Sequence, residues 1–227
     1  MGRNQLLGVY GNFVTAQDLD PYTVSLLHFD GVNGSTTFTC EKGKTWTAGG
    51  NAKLSTTTPK FGSACGTFDG TGDYITTGAS ADWNFGTGDY TVELQFRSTQ
   101  TGRIDLFEAK DVSQIFILLF GNNIYEYEGS ILRISGSVIW NDGNWHHLGI
   151  ARASGSTKMF FDGNQIGSTY VASNTINMSA AGIDIGINID HASYPLLGQL
   201  DELRISKGVA RWTSNFTPPD APYTIYI

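Results

Sequence analysis

The chain has 227 residues, 40% of them apolar and only 15% charged, with 28 glycines. Lys and Arg number 14 against 21 Asp and Glu, a net charge of −7, and no basic stripe suited to a phosphate backbone is present. Low charge with abundant Gly, Thr, Ser and Asn fits one all-β domain of many strands and tight turns. The longest apolar run, Ile115 to Phe120, is far short of the roughly 20 residues a membrane-spanning helix needs. Neither nucleic acid nor membrane is therefore an expected partner.

Residues 1–21 lack strong alternation and end at Asp20-Pro21. They are expected to form a short N-terminal arm or linker ahead of a domain covering 22–227. Met1 to Leu6 has no apolar signal-peptide core, and Leu6 stands where N-myristoylation wants Ser or Thr, so nothing there directs classical secretion. From Thr23 the alternation begins, with Val24, Leu26 and His28 on one face and Ser25, Leu27 and Phe29 on the other. Cys65 to Asp69 and Tyr74 to Thr77 repeat the pattern, and Ala81 to Phe85 reads as one helical turn pinning Trp83 and Phe85 to the core.

Tyr90 to Arg97 gives the clearest strand. Tyr90, Val92, Leu94 and Phe96 share a face expected to be buried, and Thr91, Glu93, Gln95 and Arg97 a face expected to be wet. Ile115 to Phe120 is apolar on both faces and should be central. Trp145–Arg152 and Thr157–Asp162 flank Ser154-Gly155-Ser156 as a hairpin, and Asp162-Gly163-Asn164 is a second tight turn. Ile183, Ile185, Ile187 and Ile189 alternate with polar residues. The last strand, Leu197 to Ser206, carries Asp201 and Glu202 inside an otherwise apolar run; a short helical turn and the stop Pro218-Pro219 follow. Roughly a dozen strands at this spacing predict an antiparallel sandwich or barrel. Cys40 and Cys65 fit either one bridge between neighbouring strands or two buried thiols.

Six blocks in order resemble the laminin-G-like, concanavalin A-like jelly-roll domains. They are Leu26–Gly31, Lys60–Ala64 with Phe68–Tyr74, Phe85–Glu93, Trp145–Leu148, Phe161–Gly163 and Leu200–Ile205. The resemblance covers residues 23 to about 219 and implies an antiparallel β-sandwich. The run Ser206–Trp212 with Phe216-Thr217-Pro218-Pro219 is similar to the form found in bacteriophage structural and tail-associated proteins. That similarity implies a non-catalytic virion protein, a capsid decoration or a tail or fibre component. Its expected partners are other virion proteins, further copies of itself and a cell-surface glycan. Its expected place is the virion, assembled in the host cytoplasm. A lectin module for cell-surface polysaccharide is the alternative, and a glycoside hydrolase the remote one.

No catalytic set stands out. Adjacent strand residues point to opposite faces, so Asp201 and Glu202 should not meet at one bond, as a two-carboxylate glycosidase requires. The family's glucanases carry Glu-x-Asp-x-x-Glu on a strand; Glu126-Tyr127-Glu128 comes nearest and lacks the third acid. His146 and His147 should diverge, and His28 and His191 are isolated, so no zinc spacing exists. Asp201, expected to share its face with Leu203 and Ile205, needs a partner if buried. The resemblance implies a structural Ca²⁺ held by Asp30 and Asp201, with carbonyls of residues 31–35 completing its shell. The alternative is that Asp30 caps a turn while Asp201 pairs with Arg204 or a backbone amide. Tyr125, Tyr127, Trp140 and Tyr194 lie in or beside loops. Tyr125, Tyr127, Trp140 and Asn141 are the expected contacts of a glycan, since exposed rings stack on sugar faces; core or interface packing is the competing use.

Overall fold

The computed structural model describes residues 20–110 and 115–225. The expected arm therefore lies outside the described residues except for Asp20 and Pro21. Asp20 is buried and tied to the domain: it accepts from Tyr22 N at 2.9 Å and Thr23 Oγ1 at 2.7 Å, and pairs with Arg211.

The fold is an all-β antiparallel sandwich, as the sequence implies. Eighteen strands appear among the described residues, more than the dozen expected, because several are only two to four residues long. The first sheet runs Asn164–Val171, Ser156–Phe161, His146–Ala153, Tyr90–Ser98, Leu197–Lys207, Cys65–Asp69 and Lys53–Ser55, with Thr23–Leu27 also paired to Leu197–Lys207. The second runs Ile131–Ser137, Asn123–Glu128, Ile115–Phe120, Ile104–Ala109, Ile183–Ile185, Tyr74–Thr77, Trp46–Gly49 and Thr37–Phe38. Side chains of Tyr90, Val92, Leu94, Phe96, Leu106, Phe107, Ile117 and Ile185 join in one core between the sheets.

The local chemistry explains the turns. Ser154 and Gly155 have φ of 47° and 79°, and Asp162 and Gly163 have 47° and 75°, the two left-handed positions that a tight hairpin demands. The expected helical turn is a 3-10 turn at Ala81–Trp83, capped by the Ser80 side chain on Asp82 N, with Trp83 fully buried. The isoleucine alternation persists only through Ile185. Gly186, at φ 88°, turns the chain there, although Ile187 remains buried. Cys40 and Cys65 are two buried free thiols, and burial pushes the Cys65 thiol up to about 12.

Three expectations about the closing segment are corrected. Thr91, Glu93 and Gln95 are buried, not wet. The segment after Lys207 crosses over them: Arg211 N donates to Thr91 Oγ1 at 2.9 Å, and Thr91 Oγ1 donates to Val209 O at 3.0 Å. Trp212 and Phe216 stack at 4.0 Å and meet the edges of His147 and Phe160. That cover forces pairing beneath it, because a buried lone charge is costly. Glu93 accepts from Arg204 at 2.7 Å and lies 3.2 Å from His147 Nε2. No helical turn follows Ser206 either, since Arg211 is drawn onto Ser206 and Asp20.

The third correction concerns the acid pair. Asp201 faces Gln95 and Arg204 faces Glu93, so Glu202 and Leu203 together oppose Leu94 alone, and Glu202 forms a bulge at φ 50°. The bulge moves Asp201 to the outer side with Gln95, while Leu203 and Ile205 stay in the core. Asp201 therefore does not share a face with Leu203 and Ile205. Glu202 accepts from Tyr223 N at 2.7 Å and meets His28 Nδ1 at 2.7 Å, so the two acids serve different partners.

Candidate functional site

Strand Asn123–Glu128 alternates cleanly. Ile124, Glu126 and Glu128 point into the sandwich, and Tyr125 and Tyr127 point out. Across the ladder Tyr127 pairs with Phe116, Tyr125 with Leu118 and Asn123 with Phe120. These outward side chains form an aromatic strip on the outer face of the second sheet. The loop after Ile187 supplies a wall. There Tyr194, 43% exposed, lies over the Arg103 guanidinium at 3.9 Å, and Arg103 also reaches the Phe116 ring at 5.5 Å. Arg103, Leu118, Phe120, Tyr125, Tyr127 and Tyr194 together line a groove of about 430 Å³.

The wall is held before any ligand arrives. His191 and Tyr194 occupy left-handed backbone at φ 55° and 57°, a conformation that persists only where surroundings enforce it. Asp190 does so by accepting from Ala192 N at 2.8 Å, Ser193 N at 2.9 Å and Ser193 Oγ at 2.9 Å. Asn188 Nδ2 donates to Asp105 Oδ2 at 3.0 Å, Ile189 N to Glu108 Oε2 at 3.0 Å, and Asp105 N to Tyr194 O at 3.1 Å. His191 stacks on Tyr74 at 4.0 Å and meets Asp184 at 2.8 Å.

Acids continue the same outer face. Asp105 stands opposite Leu118, Glu108 opposite Phe116, and Asp184 opposite Glu108. Asp105 grips Arg103 through two bonds, 2.6 Å to Nε and 2.9 Å to Nη2. Burial raises the Asp105 carboxyl despite that cation. Glu108 is raised to about 7 by burial, with Asp105 and Asp184 adding repulsion. Asp184 is engaged by Thr76, His191 and Lys110, the last at 3.3 Å.

Of the expected glycan contacts, the structure brings Tyr125 and Tyr127 together in the groove. Trp140 is removed from the set: it is fully buried in the core and presents no face to a sugar. Asn141 is half-buried, donates Nδ2 to Gln100 O at 3.1 Å and does not line the groove. Arg103, Leu118 and Phe120 were not expected. A strip of apolar side chains on an outward register, completed by a distant loop, leaves no local motif.

Asp30 and Asp201 both fasten residues 60–64. Asp30 Oδ1 accepts from Ser63 N and, at 2.9 Å, from Ser63 Oγ, and Asp201 Oδ2 accepts from Lys60 N at 2.9 Å and Phe61 N at 3.1 Å. Asp201 Oδ1 takes Glu202 N at 3.0 Å. N–H donors suit a carboxylate and oppose a cation, which wants a shell of oxygens. The donor set does not fit a Ca²⁺ shared by Asp30 and Asp201. No group of three or more His, Cys, Asp or Glu able to hold a metal occurs among the described residues. Asp201 rises to about 7, chiefly through burial and then the Glu202 charge. His146 meets Asp162 at 2.8 Å and Asp142 at 3.1 Å, so it and His147 diverge to separate carboxylates.

Glu126 and Glu128 share one face, but that face is the interior. Neither oxygen of Glu126 has a hydrogen-bond partner, and burial, then the neighbouring Glu128, pushes it up to about 8. A carboxyl sealed between two sheets cannot reach a glycosidic bond. A second cavity of about 420 Å³ lies on the first sheet, lined by Thr58, Arg97 and Gln199 among others; it has one aromatic, the core residue Phe68.

The fold places this architecture among known proteins. The binding domain of Paraclostridial Mosquitocidal Protein 1 superposes with TM-score 0.64 at 15% identity, over 84% of this chain and 50% of that one. Domain 4 of AbnA, a GH43 extracellular arabinanase from Geobacillus stearothermophilus solved with arabinotriose, gives TM-score 0.63 at 21% identity, over 83% and 94%. The binding domain of botulinum neurotoxin serotype D/C gives 0.63 at 12%, over 84% and 50%. The chain thus spans about half the length of the toxin binding domains it matches. Among curated proteins no sequence matches. A family profile does match, over residues 69–213, more than half of the chain. The chain belongs to the Laminin_G_3 family of the concanavalin A-like lectin/glucanase superfamily.

Proposed function

We propose that this domain is a non-catalytic carbohydrate-binding module whose glycan site is the groove of Tyr125, Tyr127, Tyr194 and Arg103. The observation that carries it is the preorganised aromatic strip, walled by a loop whose strained residues are held by Asp190, Asp105 and Glu108. Rings supply flat apolar area, and sugars present flat C–H faces; rigid loops lower the ordering cost of binding. The superfamily supports the reading, as do similar folds solved with arabinotriose and with SialylT. The absence of catalysis is supported by where the acids are spent. Asp105 is committed to Arg103 and Asn188, Asp184 to Lys110 and His191, and Asp201 to backbone amides. Display of the purified domain on an immobilised glycan array tests the reading. Binding that is lost in both Tyr125→Ala and Tyr127→Ala supports it; binding untouched by both, in folded variants, refutes it.

A second proposal concerns the setting. From the resemblance of the Ser206–Pro219 run to bacteriophage structural proteins we infer that the module is carried on a virion, as a decoration, tail or fibre component contacting other virion proteins and its own copies. Multivalent display would turn weak sugar binding into firm adhesion. Immunogold labelling of particles with antibody to this domain tests it, and unlabelled particles would count against it.

A further inference from the structure

Resting on the groove as a glycan site, we propose that it selects neutral oligosaccharides and excludes anionic ones such as those bearing sialic or uronic acids. The groove has one cationic lining residue, Arg103, and its charge is already used. Two of its nitrogens bind the two oxygens of Asp105, at 2.6 and 2.9 Å. Asp105 itself is wholly buried and held in place by Asn188, so the pair cannot swing apart to admit a competing carboxylate. The flat face of the guanidinium is covered by Tyr194 at 3.9 Å. A bidentate fork is how Arg recognises a carboxylate, and here the Nε/Nη2 fork is filled from within.

The surroundings add repulsion. The row of side chains from Tyr127 through Phe116 continues directly to Glu108 and Asp184. Lys110, which also reaches this row, is bound to Asp184 at 3.3 Å. Asp190 stands exposed on the same loop as Tyr194. An anionic sugar laid along the aromatic strip would come up against the half-buried Glu108 and the exposed Asp190, and would find no unpaired cation beside it among the described residues. A neutral sugar pays no such penalty and finds the same ring faces.

The test is a glycan array carrying matched pairs, each neutral glycan beside its sialylated or uronate-bearing form. Wild-type protein is expected to favour the neutral member by about tenfold or more at roughly 0.15 M salt. Anionic signals should rise towards the neutral ones at about 1 M salt, as screening removes the repulsion. Asp105→Asn frees the Arg103 charge and should raise the anionic-to-neutral ratio about tenfold. The double variant Arg103→Gln/Asp105→Asn should lose that rise. Damage to the fold would lower both members together, and the wild-type salt series needs no variant. Wild-type preference for anionic members, or a ratio unmoved by salt, overturns the charge selection alone. No binding to any member overturns the glycan reading beneath it.

Discussion

Replacing Glu126 with Gln should stabilise the protein, and by an amount that depends on pH. Glu126 lies between the sheets with both oxygens unpartnered, and its carboxyl is raised from 4.5 to about 8. The folded state therefore holds the proton while the unfolded state releases it above about pH 4.5. A raised acid means stability that falls as pH climbs from the unfolded to the folded value. The difference of about 3.5 between those values corresponds to about 5 kcal/mol well above pH 8, about 4 kcal/mol at pH 8 and about 3 kcal/mol near neutrality. Relaxation and water entry around the ionised carboxylate reduce the penalty, so a gain of about half is the working expectation. Glutamine is nearly isosteric and carries no charge. Urea titrations of both proteins at about pH 4.5 and pH 8 measure it. The Gln variant should match wild type at the lower pH and exceed it by about 2–3 kcal/mol at the higher. Equal effects at the two values, or loss at pH 8, would refute the buried-carboxyl argument.

Other outcomes follow from the same structure. Trp140→Ala should cost about 3–5 kcal/mol of stability, because Trp140 is core; a melting temperature close to wild type would return it to the surface. Added EDTA should leave the melting temperature within about 1 °C of that with millimolar Ca²⁺, since a bound ion at 100 times its Kd would add about 2.7 kcal/mol. A Ca²⁺-dependent rise abolished by Asp201→Asn would reinstate a metal there. His28, whose proton is held by the Glu202 carboxylate, has a raised pKa. Its stabilisation is full below the unfolded value of 6.5 and is lost as pH rises through the folded one. His28→Gln should therefore cost about 1 kcal/mol at acidic pH and nothing at about pH 9; a cost independent of pH would show that only packing matters.

The sandwich was legible because its information is local. Strict alternation in Tyr90–Arg97 and the Asp162-Gly163 turn each specify geometry within a few residues. What lay beyond the sequence depends on distant partners. Whether Glu93 meets water is decided by Trp212 and Phe216, which no alternation rule connects to it. The bulge at Glu202 breaks the period of two at a residue that rarely takes positive φ, so it inverted the face assigned to Asp201. Trp140 reads as a ring in or beside a loop, yet its indole turns inward. Half of the groove could be read from Tyr125-x-Tyr127. The other half arrives when the loop carrying Tyr194 folds over Arg103, a juxtaposition of residues remote in sequence.

Where a glycan sits is the central question, and NMR answers it directly. Titrating the labelled domain with the strongest neutral hit from the array should shift amides of Leu118, Tyr125, Tyr127 and Tyr194 and leave the first sheet unmoved. Shifts centred instead on Thr58, Arg97 and Gln199, around the other cavity, would contradict the assignment of the groove.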